Sequence, residues 1–223
     1  MPNPGAMSVL RGNPIFKDLP EDLLAEVAEL CENQSYRRNE TVFAEGTPGT
    51  KLYGVIAGRL LITTSSLDGR DLHLNVVVQG EIVGEIAFLD GGMRTATGRA
   101  AEAAVTCFEI DRAPFFRLLE RTPLLSVHLL QLVCRRVRWM TRLVADSAFL
   151  SVPQRLATRM LDLAKPLGAG TESAEIKISQ AELAEFLGIS RQVVNSYLRA
   201  WQRDGRVQLA RGKILIKDLS RLL

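Results

Sequence analysis

ISQAELAEFLGISRQVVNSYLRAW, residues 178–201, is the stretch on which the fold reading turns. Ser179-x-x-Glu182 is a capping box, so a helix is predicted to start just after Ser179. Ala184 is small where two helices must cross closely, and Gly188 can adopt the turn between them. Ser190 is placed to cap a second helix, and Leu183, Leu187, Ile189, Val194 and Leu198 supply a shared core. A small residue, a glycine four later and an aliphatic six further on is helix-turn-helix spacing. Upstream, Ser151-Val152-Pro153 ends one helical pattern and starts another, and Gly168, Gly170 and the following Thr-Glu-Ser form a loop. Downstream, RVQLARGKILIK (206–217) reads as strand–turn–strand. Three helices followed by a hairpin outline a winged helix.

The second helix of the pair should expose Arg191, Gln192, Asn195, Ser196 and Arg199. Arginine can pair bidentately with guanine, and glutamine or asparagine with adenine. Ser179, Ser190 and the hairpin residues Arg211 and Lys213 complete the candidate DNA-binding set, with Ser190, Arg211 and Lys213 better matched to phosphates. A helical hairpin with an ordinary solvated face is the plain alternative; charge, capping, turn spacing and hairpin together favour DNA.

Charge along the chain agrees. The total is 28 basic against 25 acidic side chains, but residues 1–116 carry 10 and 16, residues 117–150 carry 6 and 2, and residues 151–223 carry 12 and 7. An acidic front and a basic back suggest two jobs, with a polyanion as partner for the back. Cys31, Cys107 and Cys134 form no CxxC pair, so reduced thiols are expected rather than a disulfide framework or zinc ribbon. The N-terminus lacks a signal-peptide pattern and no apolar run approaches a membrane span, so a cytoplasmic protein is expected.

A helix is predicted from about 19 to 32, with Leu23, Leu24, Val27, Leu30 and Cys31 on its apolar face. Beyond Tyr36 come TVFAEG, KLYGVIAGRLLITT, LHLNVVV and CFEI, separated by Glu45-Gly46, Pro48-Gly49, Asp68-Gly69, Gln79-Gly80 and Gly91-Gly92. Short β-rich stretches punctuated by glycine turns indicate an antiparallel jelly roll over roughly 36–112. Within it, GEIVGEIAFLDGGMRTATGRA (80–100) sets Glu85 and Arg94 nine residues apart around a short helix. The carboxylate can accept from a sugar hydroxyl, and the guanidinium can fork onto a phosphate with help from Thr95 and backbone N–H groups. A surface Glu85–Arg94 ion pair is the competing reading, and spacing alone does not choose between them.

From Pro123 to Phe149 runs a long helical pattern in which Leu130, Val133, Val137, Met140 and Val144 form an a/d seam. Packing against its own domain and an intermolecular coiled coil both use such a seam; the cationic flank Arg135, Arg136, Arg138 and Arg142 favours the second. The whole is α+β: a sensor domain over 1–122, a dimerisation helix over 123–150 and a winged helix-turn-helix over 151–223.

The stretch G-E-I-A-F-L…R-T-A-T resembles the phosphate-binding cassette of cyclic-nucleotide-binding domains. Cassette, seam helix and C-terminal helix-turn-helix, in that order, resemble the cyclic AMP receptor branch of the Crp–Fnr transcription regulators from about Phe16 to Lys217. DSAFLSVPQRLATRML (146–161) is similar to that family's hinge and first C-terminal helix. The resemblance implies a homodimer that binds cyclic AMP, or cyclic GMP as second choice, with no metal. It implies palindromic double-stranded DNA and RNA polymerase as partners, and no membrane. Glu85 would bind the ribose 2′-hydroxyl beside the Gly84 backbone, and Arg94, Thr95 and Ala96 would hold the cyclic phosphate. Ile62, Leu74 and Val77 would line the ribose–base pocket, Arg136 would lie near the ligand, and Met140 and Thr141 would stand at the base-reading positions. Met140 lacks the hydroxyl that the receptor has there, and Thr95 replaces a serine, as in cyclic-GMP-preferring cassettes. Gln192 and Ser196 replace a Glu and an Arg, which implies a related but different DNA site.

Other classes fit less well. The first 30 residues hold no cysteine cluster for an iron–sulfur sensor. A haem sensor would need an axial His or Cys in the pocket and would have no use for the Glu85/Arg94 pair. A cupin-type metal enzyme would need a histidine cluster that His73 and His128, separated and read as surface or partly buried residues, do not supply. A regulatory subunit that binds cyclic nucleotide without DNA would have no use for the cationic helix-turn-helix.

Overall fold

The computed structural model describes residues 1–14, 16–66, 71–164, 173–210, 212–218 and 222. They fall into two compact units, 1–65 with 74–139 and 66–73 with 140–223. The Asp68-Gly69 turn, the Gly168/Gly170 loop and Arg211 lie outside the described residues.

The first unit opens with helix α1 (Pro4–Gly12), which the sequence reading did not anticipate. Its signal was present: Asn3 caps the Ala6 N–H and Pro4 occupies the first turn. Helix α2 (Glu21–Glu29) is shorter than the expected 19–32, because Cys31 already begins strand β1 (Cys31–Arg37) and pairs with Ile110. Cys31 is buried on the same core as the helix, so helical spacing alone did not show where the strand began.

The remaining strands are β2 (Thr41–Phe43), β3 (Lys51–Ala57), β4 (Arg59–Ser65), β5 (Asp71–Val78), β6 (Ile82–Val83), β7 (Thr97–Ala100) and β8 (Ala104–Asp111). They form two four-stranded sheets, β1-β8-β3-β6 and β2-β7-β4-β5, with antiparallel pairing at each register described. One core fills the sandwich: Tyr36, Tyr53, Val55, Val83, Val105 and Cys107 from the first sheet meet Phe43, Leu60, Ile62, Val77 and Ala100 from the second. A second core lies on the other face of the first sheet, where Leu52, Phe108 and Ile110 join α1, α2, α4 (Arg112–Arg121) and α5 (Pro123–Phe149). Burial on both faces explains why KLYGVI and CFEI are almost continuously apolar rather than alternating. Gly54 keeps that stack possible, since a Cβ there would sit 2.2 Å from the Phe108 ring.

Helix α5 turns Leu125, His128, Leu129 and Leu132 into this core. Leu130, Val137, Met140 and Val144 stay exposed and Val133 half-buried.

In the second unit α6 (Val152–Ala164) starts with Pro153 in its first turn. Helix α7 (Gln180–Leu187) has both halves of the Ser179/Glu182 capping box in place, and Gly188 closes it in the left-handed region at φ 63°. Ser190 caps α8 (Arg191–Arg203) by accepting from Val193. Strands β10 (Val207–Ala210) and β11 (Lys213–Ile216) form the hairpin, and β9 (Ala174–Ile176), a strand not anticipated, adds to its edge. Leu156, Met160, Leu183, Ala184, Val194, Leu198 and Trp201 build the common core.

Removing the α7 cap tests how far this unit relies on it. Ser179→Ala should lower the unit's stability by about 1 kcal/mol in denaturant unfolding, without loss of helical signal in native buffer.

Candidate functional site

The short helix α3 (Glu85–Asp90) follows β6 directly, entered through Gly84 at φ 86° and left through Gly91 at φ 75°. Both glycines hold left-handed conformations that other residues adopt at a cost of roughly 1–2 kcal/mol. This entry buries Glu85, 4% exposed, at the first turn, where the helix end favours negative charge.

Arg94 is equally buried. It is not the ion-pair partner of Glu85. Arg94 Nη1 donates to the Gly84 carbonyl at 2.7 Å, and Nη2 donates to the carbonyl of Lys51. Its Nε is buried with no hydrogen-bond acceptor among the described residues. Phe43 and Tyr53 lie against the guanidinium. Burial pushes the Arg94 group below its ordinary pKa, against opposing pulls from Tyr53 and Glu85. Glu85 instead accepts from Arg136 Nε of α5 at 2.7 Å, and Arg136 Nη2 donates to the Ile82 carbonyl at 3.0 Å.

A buried cation held by carbonyls, with one N–H unmatched, is chemically suited to an anion. A buried carboxylate a short helix away, with its own cation, is suited to accept from hydroxyls. Thr95 is exposed beside this pair and Ala96 is buried; Ile62 and Val77 belong to the adjoining sandwich core, with Leu74 packed against it.

On the second unit, Arg191, Gln192, Ser196 and Arg199 project from α8 to solvent and Asn195 is half-buried, opposite Val194, Leu198 and Trp201. The Ser196 hydroxyl donates back to the Val193 carbonyl at 2.8 Å, which leaves its lone pairs for an outside donor. Lys213 is exposed and paired with Glu175 at 2.9 Å. Ser179 and Ser190 both spend a lone pair on capping.

Residues 33–122 match the cyclic nucleotide-binding domain family, and residues 154–223 match the Crp-like helix-turn-helix domain family. A CRP-like cAMP-activated global transcriptional regulator of Mycobacterium tuberculosis is 31% identical over 211 residues, 93% of this chain and 94% of that protein. The chain belongs to the Crp–Fnr family of transcription regulators. The cAMP-activated global regulator CRP of Salmonella typhimurium is 27% identical over 188 residues, 83% of this chain and 89% of that protein. Among solved structures, a CRP/FNR family regulator from Thermus thermophilus superposes with a TM-score of 0.70 at 26% identity, covering 86% of this chain and 96% of that one.

This Crp–Fnr regulator brings together Gly84, Glu85, Arg94 and Arg136 of the residues expected from sequence. Met140 and Thr141 are exposed residues one turn beyond Arg136 along α5, in the second unit. The carbonyls of Lys51 and Ile82 and the rings of Phe43 and Tyr53 were not foreseen; a backbone carbonyl carries no side-chain signal, and the rings read as ordinary strand residues. His73 and His128 are more buried than expected, 8% and 9% exposed. Among the described residues, no group of three or more His, Cys, Asp or Glu could hold a metal ion, and no helix is long and apolar enough to cross a membrane.

The Glu85–Arg136 pair is partly buried, with Glu85 the enclosed partner, so removing Arg136 should strand the carboxylate. Arg136→Met is expected to cost about 2 kcal/mol in denaturant unfolding of the first unit, with Glu85→Gln in the same chain recovering part of it.

Proposed function

We propose that this Crp–Fnr regulator is a homodimer that binds a cyclic nucleotide and thereby sets two copies of α8 for a palindromic DNA site. The observation that carries the reading is Arg94: a guanidinium 4% exposed, resting on the Gly84 carbonyl, with a buried Nε that lacks an acceptor among the described residues. The relatives whose names include cAMP activation support cyclic AMP as the first candidate, with cyclic GMP as the second because of Thr95 and Met140.

On this reading Arg94, Thr95 and Ala96 hold the cyclic phosphate, and Glu85 accepts from the ribose 2′-hydroxyl beside Gly84. Ile62, Leu74 and Val77 supply the apolar wall, and Arg136 faces the ligand from α5; Met140 and Thr141 are the base-reading positions that the family resemblance implies. Arg136 is then shared between Glu85 and the ligand. Nucleotide binding would change the interactions of α5 at the point where it leaves the first unit, which is a differential contact of the kind a population shift needs.

The stripe Leu130, Val133, Val137, Met140 and Val144, exposed except for half-buried Val133, supports a seam with a second α5, because these residues lie apart from the buried Leu125, His128, Leu129 and Leu132. Dimer symmetry would space the recognition helices about 34 Å apart, one DNA turn. Arg191, Gln192, Asn195, Ser196 and Arg199 would read bases or adjoining phosphates. Ser179, Ser190, Lys213 and Arg211 would set register on the backbone. RNA polymerase is the expected further partner, the cytoplasm the expected compartment, and no catalytic step is assigned.

Two measurements test this. Arg94→Leu should weaken cyclic AMP binding roughly 10- to 100-fold by calorimetry, the loss of a charge-assisted hydrogen bond; unchanged affinity refutes the cassette assignment. Arg199→Ala should weaken DNA binding and, where the contact is to phosphate, reduce the slope of log affinity against log salt by about one.

A further inference from the structure

We infer that Phe43 and Tyr53 are positioning residues for Arg94, two aromatic rings that hold its guanidinium while leaving its Nε–H unmatched for an anion. The inference rests on the proposed role of Arg94 and adds how the residue is kept ready.

The guanidinium carbon lies 5.0 Å from the Phe43 ring centroid and 5.4 Å from that of Tyr53, both within cation–π range. The two rings are themselves stacked, 5.2 Å apart at 27°. Both belong to the sandwich core, Phe43 from β2 and Tyr53 from β3, so each sheet contributes one face. Two glycines clear the space. Gly98 is the register partner of Phe43, and a Cβ there would stand 2.5 Å from Phe43 Cε1. On the other side a Cβ at Gly84 would stand 2.7 Å from Arg94 Nη1 and 3.3 Å from Tyr53 Cδ2.

The chemistry explains the choice of rings. A carboxylate against Arg94 would neutralise the charge, occupy its N–H groups and repel an arriving anion. The Phe43 face attracts the cation through its quadrupole and consumes no hydrogen-bond donor. The unmatched Arg94 Nε agrees with that arrangement.

The test uses the full chain and three substitutions. Phe43→Leu removes one π face, Phe43→Tyr keeps it, and Gly98→Ala drives the ring from its seat. Cyclic AMP affinity, measured by calorimetry, should fall about five- to thirtyfold in Phe43→Leu and Gly98→Ala. Phe43→Tyr should stay within about twofold of the unaltered chain. In the ligand-free protein, the NMR resonance of the Arg94 Nε–H should carry a ring-current shift that Phe43→Leu changes and Phe43→Tyr retains. Should Phe43→Leu not fold, Tyr53→Leu carries the same expectation. Wild-type affinity in Phe43→Leu, a loss in Phe43→Tyr as large as in Phe43→Leu, or an Arg94 resonance indifferent to both overturns the inference. If the unaltered chain binds neither cyclic AMP nor cyclic GMP, the nucleotide reading fails, and the Arg94 resonance still decides whether the ring pair holds the guanidinium.

Discussion

A guanidinium buried without a carboxylate is the constraint around which the sensor unit is organised. Taking Arg94 out of water costs several kcal/mol unless its donors and charge are met. The fold meets Nη1 and Nη2 with backbone, the Gly84 carbonyl just after β6 and the Lys51 carbonyl at the start of β3, and leaves Nε unmatched among the described residues. Those two strands are neighbours in one sheet, pairing Tyr53 with Val83 and Gly54 with Ile82. Arg94 therefore ties the segment after α3 back onto the sheet from which α3 leaves. The left-handed Gly84 is what lets its carbonyl face the guanidinium, and it also aims Glu85 inward.

Glu85 passes the same constraint to α5. Its carboxylate is satisfied by Arg136, which also donates to Ile82 of β6. Helix α5 is thus fastened to the site by charge as well as by Leu125, Leu129 and Leu132 in the core. A ligand offering hydroxyls to Glu85 and an anion to Arg94 would act on both ends of this arrangement at once. The remaining exposed stripe of α5 is left for another surface.

The second unit is simpler. Its α7 and α8 are set by local rules, two caps and one left-handed glycine, and by a core in which most apolar residues of the 178–201 stretch have a place. Little there needed long-range information apart from β9, whose pairing with β11 brings Ala174 opposite Ile216 across intervening chain. Three apolar and polar residues at an edge carry too weak a period to be read alone.

Local chemistry in the sequence determined the capping box, the turn at Gly188, the hairpin, the long helix from Pro123 and the glycine-bracketed helix between Glu85 and Arg94. Each depends on residues within a few positions of one another, so spacing suffices. The boundary between α2 and β1 did not follow from spacing, because Cys31 is buried in either conformation. Tertiary structure alone decided that Glu85 and Arg94 do not pair, that Arg136 takes the carboxylate, and that Phe43 and Tyr53 lie together against the guanidinium. Those outcomes hang on backbone carbonyls and on contacts between residues far apart in the chain. Lys51 and Arg94 are separated by 43 positions and Glu85 and Arg136 by 51, so only the closed sandwich sets their distances.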